Sequence, residues 1–188
     1  MLEAEFMKSD RLRASELIYD GQIIQLYRNQ VEIHPQVVVA RELVNHQNAV
    51  VILPITDTDE IILVSQYRPA VDQVLLELPA GLIDIHQLAA EDPLIAAKRE
   101  LEEETGMQSD CWEYYGKLDC SPGFCNEAME FYIARDVKGV PHPIAGDEDE
   151  FITVKKYSRS TIQSMLDERL ISDMKTHLIL KLWLLGGI

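Results

Sequence analysis

Cysteine is scarce, with only Cys111, Cys120 and Cys125 in 188 residues. An odd number without paired spacing excludes a disulfide framework and leaves apolar burial to hold the fold. Basic residues are also few, 17 against 32 acidic ones, for a net charge of −15. A surface this acidic repels polyanions, so neither nucleic acid nor an anionic membrane face is an expected partner. Long apolar runs are missing too. A membrane-spanning helix needs ~20 apolar residues, and the nearest run, Leu178–Leu185, is interrupted by Lys181. No basic segment followed by an apolar one opens the chain, as a secretory leader would. The expected setting is cytoplasmic.

Hydrophobic residues make up 47% of the chain, enough for one ordinary domain with a small extension. Residues 1–12 lack periodicity and are expected to fray. From Ser15 to His46 the pattern is β, with Asp20-Gly21 marking a hairpin, and this stretch can form a small antiparallel sheet of its own. The boundary expected from this pattern separates an extension at 1–46 from a main domain at 47–188. Ala49–Ile55 and Ile61–Gln66 are nearly continuous in Val, Ile and Leu, as strands buried on both faces are. Leu75–Leu78 is a shorter strand running into Pro79-Ala80-Gly81. Strand patterns return at Trp112–Leu118, Ala128–Ala134 and Phe151–Tyr157. Two amphipathic helices, Ser160–Arg169 and Asp173–Leu185, follow. Alternation of sheet and helix predicts an α/β sandwich.

Between these strands, a helix is expected from Asp92, with Pro93 in its first turn and Gly106 at its end. Glu100, Glu103 and Glu104 stand at i, i+3 and i+4, so their carboxylates leave one face. Leu94, Ala97 and Leu101 line the neighbouring face and can dock on a sheet. Like charges at this spacing destabilise a helix by a few tenths of a kcal/mol per pair, roughly. A hard cation such as Mg²⁺ would reverse the penalty, since it takes oxygen ligands and holds phosphates. A glutamate-rich helix is more often a solvated face. What sets this one apart is its surroundings: Arg-Glu-aliphatic-x-Glu-Glu-x-Gly, preceded by a strand that ends in Pro-Ala-Gly.

That pattern resembles the box of the Nudix hydrolase family, Gly-x5-Glu-x7-Arg-Glu-U-x-Glu-Glu-x-Gly-U with U aliphatic. Arg99, Glu100, Glu103, Glu104, Gly106 and Met107 match its end, and Glu91 matches at the x7 spacing. Gly81 lies ten positions before Glu91 where the box has six, so four residues are inserted within Asp84–Ala90. The resemblance implies an α/β/α sandwich with a mixed sheet, preceded by the small N-terminal sheet. It makes Glu100, Glu103 and Glu104 metal ligands, joined by the backbone carbonyl of Ala80. Arg99 would orient these carboxylates and Glu91 would hold the network. Gly81 and Gly106 would be structural parts of the box. The implied cofactor is Mg²⁺, with Mn²⁺ a possible substitute and two or three ions per site.

Outside the box, Gln66-Tyr67-Arg68, Glu77-Leu78-Pro79-Ala80-Gly81 and Pro122, 15 residues after Met107, are similar to motifs of the ADP-ribose pyrophosphatase subfamily. The implied reaction is hydrolysis of ADP-ribose, or a related nucleoside diphosphate sugar, to AMP and ribose 5-phosphate. Arg68 at a strand end can bind phosphate oxygens bidentately, and Arg41 is a second choice. Tyr67 or Phe124 could stack on a base, although aromatics in such places are more often core. Glu77 could accept from ribose hydroxyls or an adenine amine, or simply form a strand-end salt bridge. In the acidic run 146–150, the resemblance implies Glu148 as the catalytic base and Glu150 as a metal ligand, with Glu103 the next choice of base. The same resemblance implies a homodimer through the N-terminal sheet. A GDP-mannose or other nucleotide-sugar pyrophosphatase is the alternative enzyme. A module that binds ADP-ribose without cleaving it is the alternative class, although such modules usually lack some box glutamates and all three are present here.

Overall fold

Alternating β and α segments organise the chain as the sequence pattern predicts. The computed structural model describes residues 2–86, 89–146 and 151–188. After a short 3₁₀ helix at Glu5–Lys8 come β1 (Leu12–Asp20), β2 (Ile24–His34), β3 (Val37–His46), β4 (Ala49–Pro54) and β5 (Ile61–Arg68). Next are β6 (Gln73–Glu77), β7 (Ala80–Leu82), β8 (Ile85–His86), β9 (Ala89–Ala90) and helix α1 (Pro93–Thr105). The remainder comprises β10 (Met107–Gln108), β11 (Cys111–Asp119), β12 (Ala128–Arg135), β13 (Lys138–Gly139), β14 (Thr153–Tyr157), α2 (Arg159–Asp167) and α3 (Met174–Leu184). Two compact units result. One holds Met1–Ala49, Leu82–Glu91 and Lys117–Met129; the other holds Val50–Gly81, Asp92–Gly116 and Glu130–Ile188.

In the first unit, β1, β2 and β3 form an antiparallel sheet in that order. The hairpin expected at Asp20-Gly21 closes with the Gly21 amide donating to the Ile24 carbonyl at 2.9 Å. Buried polar groups in this unit are satisfied, as they must be to avoid a desolvation cost. Asn29 accepts from Ser15 Oγ at 2.6 Å, while Asn45 donates to Gln25 and accepts from Asn126, both at 2.9 Å. The amino terminus differs from expectation. Residues 5–8 form the 3₁₀ helix instead of fraying, because Ala4 is buried and the Phe6 ring meets Tyr27 edge-on at 5.6 Å. The four-residue insertion is also ordered where described. β8 and β9 pair antiparallel, Ile85 with Ala90 and His86 with Ala89, and the Glu91 amide donates to the Asp84 carbonyl at 2.8 Å. Elements of two residues are too short to show a period, which is why the sequence pattern reads as loop there.

In the second unit, β14, β5 and β6 form an antiparallel sheet, and β4 lies between β12 and β7 in another. Every residue of β4 is buried, as its unbroken Ala-Val-Val-Ile-Leu-Pro run demands. The centre of this core includes Ile52, Leu53, Ile61, Ile62, Leu63, Leu101, Ile133, Ile162 and Leu180. Fully burying one such side chain contributes about 1.5–3 kcal/mol. Both C-terminal helices start on side-chain caps: Ser158 accepts from the Thr161 amide, and Asp173 from the Thr176 amide at 3.0 Å. Arg159 joins the two helices. Its guanidinium lies 4.3 Å from the centre of the Trp183 ring and donates to the Trp183 and Leu184 carbonyls at the end of α3.

Candidate active site

Helix α1 begins where the sequence places it. The Asp92 side chain accepts from the amides of Leu94 at 2.9 Å and Ile95 at 3.3 Å, and Pro93 takes the first turn, where no amide is needed. It ends at Gly106, whose φ of 65° is left-handed and whose amide donates to the Glu102 carbonyl. Ala96, Ala97 and Leu101 are its buried apolar residues, with Glu104 and Thr105 buried as well. Leu94, assigned to the docking face by its spacing, is only partly buried.

Two of the three box glutamates share a partner, and the third meets the backbone. Arg99 Nη1 donates to Glu100 Oε1 at 2.7 Å and to Glu103 Oε2 at 2.9 Å, so one guanidinium nitrogen sits between two carboxylates. Glu104, only 8% exposed, accepts from the Ala80 amide at 3.0 Å. Gly81 lies directly under Glu100: a Cβ there would stand 2.1 Å from Glu100 Cδ. The Pro-Ala-Gly segment thus meets the acidic face twice, with an amide on Glu104 and with the Glu100 carboxylate seated where a side chain at Gly81 would stand. Among the described residues no three His, Cys, Asp or Glu side chains are gathered into a metal cage. The donor chemistry nevertheless fits a hard divalent cation. Two carboxylates already converge on one cationic nitrogen, and a third stands one helical turn from Glu100.

In the register of β5 and β6, Arg68 stands opposite Gln73 and Glu77 opposite Val64, yet their side chains meet. Arg68 Nε and Nη2 donate to the two Glu77 oxygens at 2.7 and 3.0 Å, a fork-on-fork pair. Lys175 Nζ also donates to Glu77 Oε2, and binds Asp173 Oδ1 at 3.0 Å. Burial pushes the Glu77 carboxyl up, but the Arg68 hydrogen bond and the Lys175 charge outweigh it and hold the group below the usual carboxylate range. Glu77 is 2% exposed and satisfied on both oxygens, so its structural place is the strand-end salt bridge. Sequence reasoning missed Lys175, because nothing local links a lysine in the first turn of α3 to a strand nearly a hundred positions earlier.

The segment that precedes the acidic run lies beside α1. The Ile144 amide donates to Glu102 Oε1 at 3.0 Å, Pro143 lies by Gly106, and Gly146 lies against the Glu103 carbonyl. Glu148 and Glu150 themselves lie outside the described residues. Tyr67 is exposed, with its hydroxyl donating to Asp72 at 2.8 Å, and Phe124 is exposed as well, so neither is core. Arg41, Glu91, Pro122 and Phe124 belong to the first unit. There Pro122 and Phe124 line a groove of about 420 Å³ together with Phe6, Leu43 and Lys117.

A carboxylate face on a capped helix, beside a Pro-Ala-Gly strand end, is the arrangement expected of a Nudix-type hydrolase. The chain belongs to that family: the NUDIX domain model matches residues 45–174. Hydrolases of this family generally depend on a divalent metal. The chain is 33% identical over 172 residues to the ADP-ribose pyrophosphatase of Bacillus subtilis (strain 168), covering 90% of this chain and 91% of that one. It is also 33% identical over 162 residues to the methanol dehydrogenase activator of Bacillus methanolicus, covering 86% and 85%. A crystal structure of an ADP compounds hydrolase superposes with a TM-score of 0.78 at 23% identity, covering 94% of each chain, which shows the Nudix α/β fold. Among the described residues, no helix is long and apolar enough to cross a membrane.

Proposed function

We propose that this enzyme hydrolyses the pyrophosphate of ADP-ribose to AMP and ribose 5-phosphate. The carboxylate face of Glu100, Glu103 and Glu104 carries the chemistry, and the B. subtilis relative, alike over nearly the whole chain, supports the substrate. These glutamates, the Ala80 carbonyl and Glu150 would hold Mg²⁺, replaceable by Mn²⁺, at two or three ions per site. When bound, the metal neutralises diphosphate charge and lowers the pKa of water. Arg99 fixes the orientation of Glu100 and Glu103. Glu148 takes the proton of the attacking water. Arg68, fixed by Glu77 but still partly exposed, offers N–H groups not used on Glu77 to a phosphate oxygen.

A substrate panel tests this reading: ADP-ribose, GDP-mannose, other nucleotide sugars and dinucleotides, assayed for phosphomonoester release with Mg²⁺ and with Mn²⁺. The highest kcat/KM on ADP-ribose is the expected result. Preference for GDP-mannose overturns the substrate, and binding without turnover overturns the reaction. Glu148→Gln and Glu150→Gln test the loop, and full activity in both moves the base to Glu103. A homodimer through β1–β3 and a cytoplasmic location belong to the same proposal. The exposed apolar side chains of Leu17, Ile18, Tyr19, Val37 and Val38 on that sheet support the dimer. A monomer in sedimentation at micromolar concentration overturns it.

A further inference from the structure

Residues 77–81 are gripped from both sides, and one grip comes from residues beyond the matched family segment. Lys175 in the first turn of α3 binds Glu77, and Thr176, fully buried, accepts from the Leu78 amide at 2.8 Å. The Pro79 carbonyl accepts from the Ile52 amide in β4 at 2.9 Å. Ala80 then donates to Glu104, and Gly81 lies beneath Glu100. The family model ends at residue 174, one position before Lys175. Thr176 is itself held, since its amide donates to the Asp173 cap at 3.0 Å. The path from α3 to the acidic face therefore runs through backbone atoms of a few consecutive residues, with no flexible linker between them.

We propose that Thr176 and Lys175 are positioning residues for the hydrolase site. The first turn of α3 sets the height and rotation of the strand end, and the strand end sets where the Glu104 and Glu100 carboxylates stand. Thr176 supplies the acceptor for an amide that would otherwise be buried without one. Lys175 completes the neutralisation of Glu77 and leaves the Arg68 fork fixed in the plane of that carboxylate. Neither residue touches substrate in this role. The inference rests on the assignment of Glu100 and Glu104 to the divalent metal.

The test uses the full-length protein and three readouts: Mn²⁺ affinity without substrate, amide exchange at Leu78 and Ala80 in the metal-free protein, and kcat and KM for ADP-ribose. Thr176→Val keeps the shape and removes the acceptor. It is expected to speed exchange at both amides, weaken Mn²⁺ binding and lower kcat by about 10- to 100-fold with KM little changed. Thr176→Ser is expected to restore all three. Lys175→Met is read in parallel, and carries the test if Thr176→Val does not fold. A purely structural role would lower Tm and leave Mn²⁺ affinity and kcat at wild-type values well below that Tm, and that result overturns the proposal. Glu104→Gln separates the two levels. If it binds Mn²⁺ and turns over as wild type, the metal assignment and this inference both fall. If it loses both while Thr176→Val and Lys175→Met retain them, only this inference falls.

Discussion

Alanine at position 81 perturbs one carboxylate while leaving the backbone acceptable. Gly81 is not among the glycines with left-handed φ, so its conformation accepts a side chain. The space above it does not. The new Cβ would lie 2.1 Å from Glu100 Cδ and 2.2 and 2.3 Å from its oxygens, where carbon contacts settle at about 3.5–4.0 Å. The end of Glu100 must therefore move by more than about 1 Å. Pushing a side chain off its rotamer costs about 0.5–1.5 kcal/mol. Gly-to-Ala replacement at a compatible backbone recovers about 0.4–1 kcal/mol through the unfolded chain. The two nearly cancel, so Tm should shift by no more than about 2–4 °C in a chain of this size. Activity should not cancel, because a misplacement of about 1 Å costs roughly 100-fold in rate. The assay is kcat and KM on ADP-ribose with saturating Mg²⁺, beside a melting curve followed by circular dichroism. A kcat within about twofold of wild type would show that Glu100 does not act from this position. A large loss of Tm would show that the gap serves packing of the strand end instead.

Three further outcomes follow from the same geometry. Glu104→Gln keeps an acceptor for the Ala80 amide but loses the charge, so Mn²⁺ affinity and kcat should fall by about 100-fold or more with Tm nearly unchanged; near wild-type turnover refutes the metal role. Asp92→Ala removes the cap from α1 and should cost about 1 kcal/mol, read as a lower urea midpoint with an unchanged slope. Because the Glu77 carboxyl titrates lower folded than unfolded, its stabilisation is complete above its ordinary value of 4.5 and is lost as pH falls through the depressed folded value. Urea titrations across that acid range should show a steeper loss of stability in the wild type than in Glu77→Gln, and parallel curves would refute the pairing.

The parts that were legible in sequence are those whose signals are local. Asp92, Pro93 and Gly106 bracket α1 within one residue at each end, and the apolar runs of β4 and β5 announce full burial. The three-stranded N-terminal sheet follows from β periodicity and one hairpin turn. The partners of Glu77 were not legible, because a salt bridge to Lys175 depends on how α3 returns to the sheet and leaves no mark near position 77. The same holds for the Ile144–Glu102 bond that ties the segment before the acidic run to α1. The ladder pairing β10 with β13 escaped notice for a simpler reason: two residues per strand cannot display alternation.

The hairpin of β8 and β9 also bears on how this chain tolerates length. Its ends are tied by the Glu91 amide on the Asp84 carbonyl and by the Ile83 amide on the Asn48 carbonyl at 2.9 Å. Once the ends of a loop are joined, each doubling of its length adds only about 0.6 kcal/mol of closure entropy. Added residues can then gather beyond the tie without displacing Asp84 or Glu91. The closure cost therefore sets little limit on the length of the stretch that departs from family spacing, and an affinity tag or fluorescent reporter inserted there should leave the ties at Asp84 and Ile83 in place.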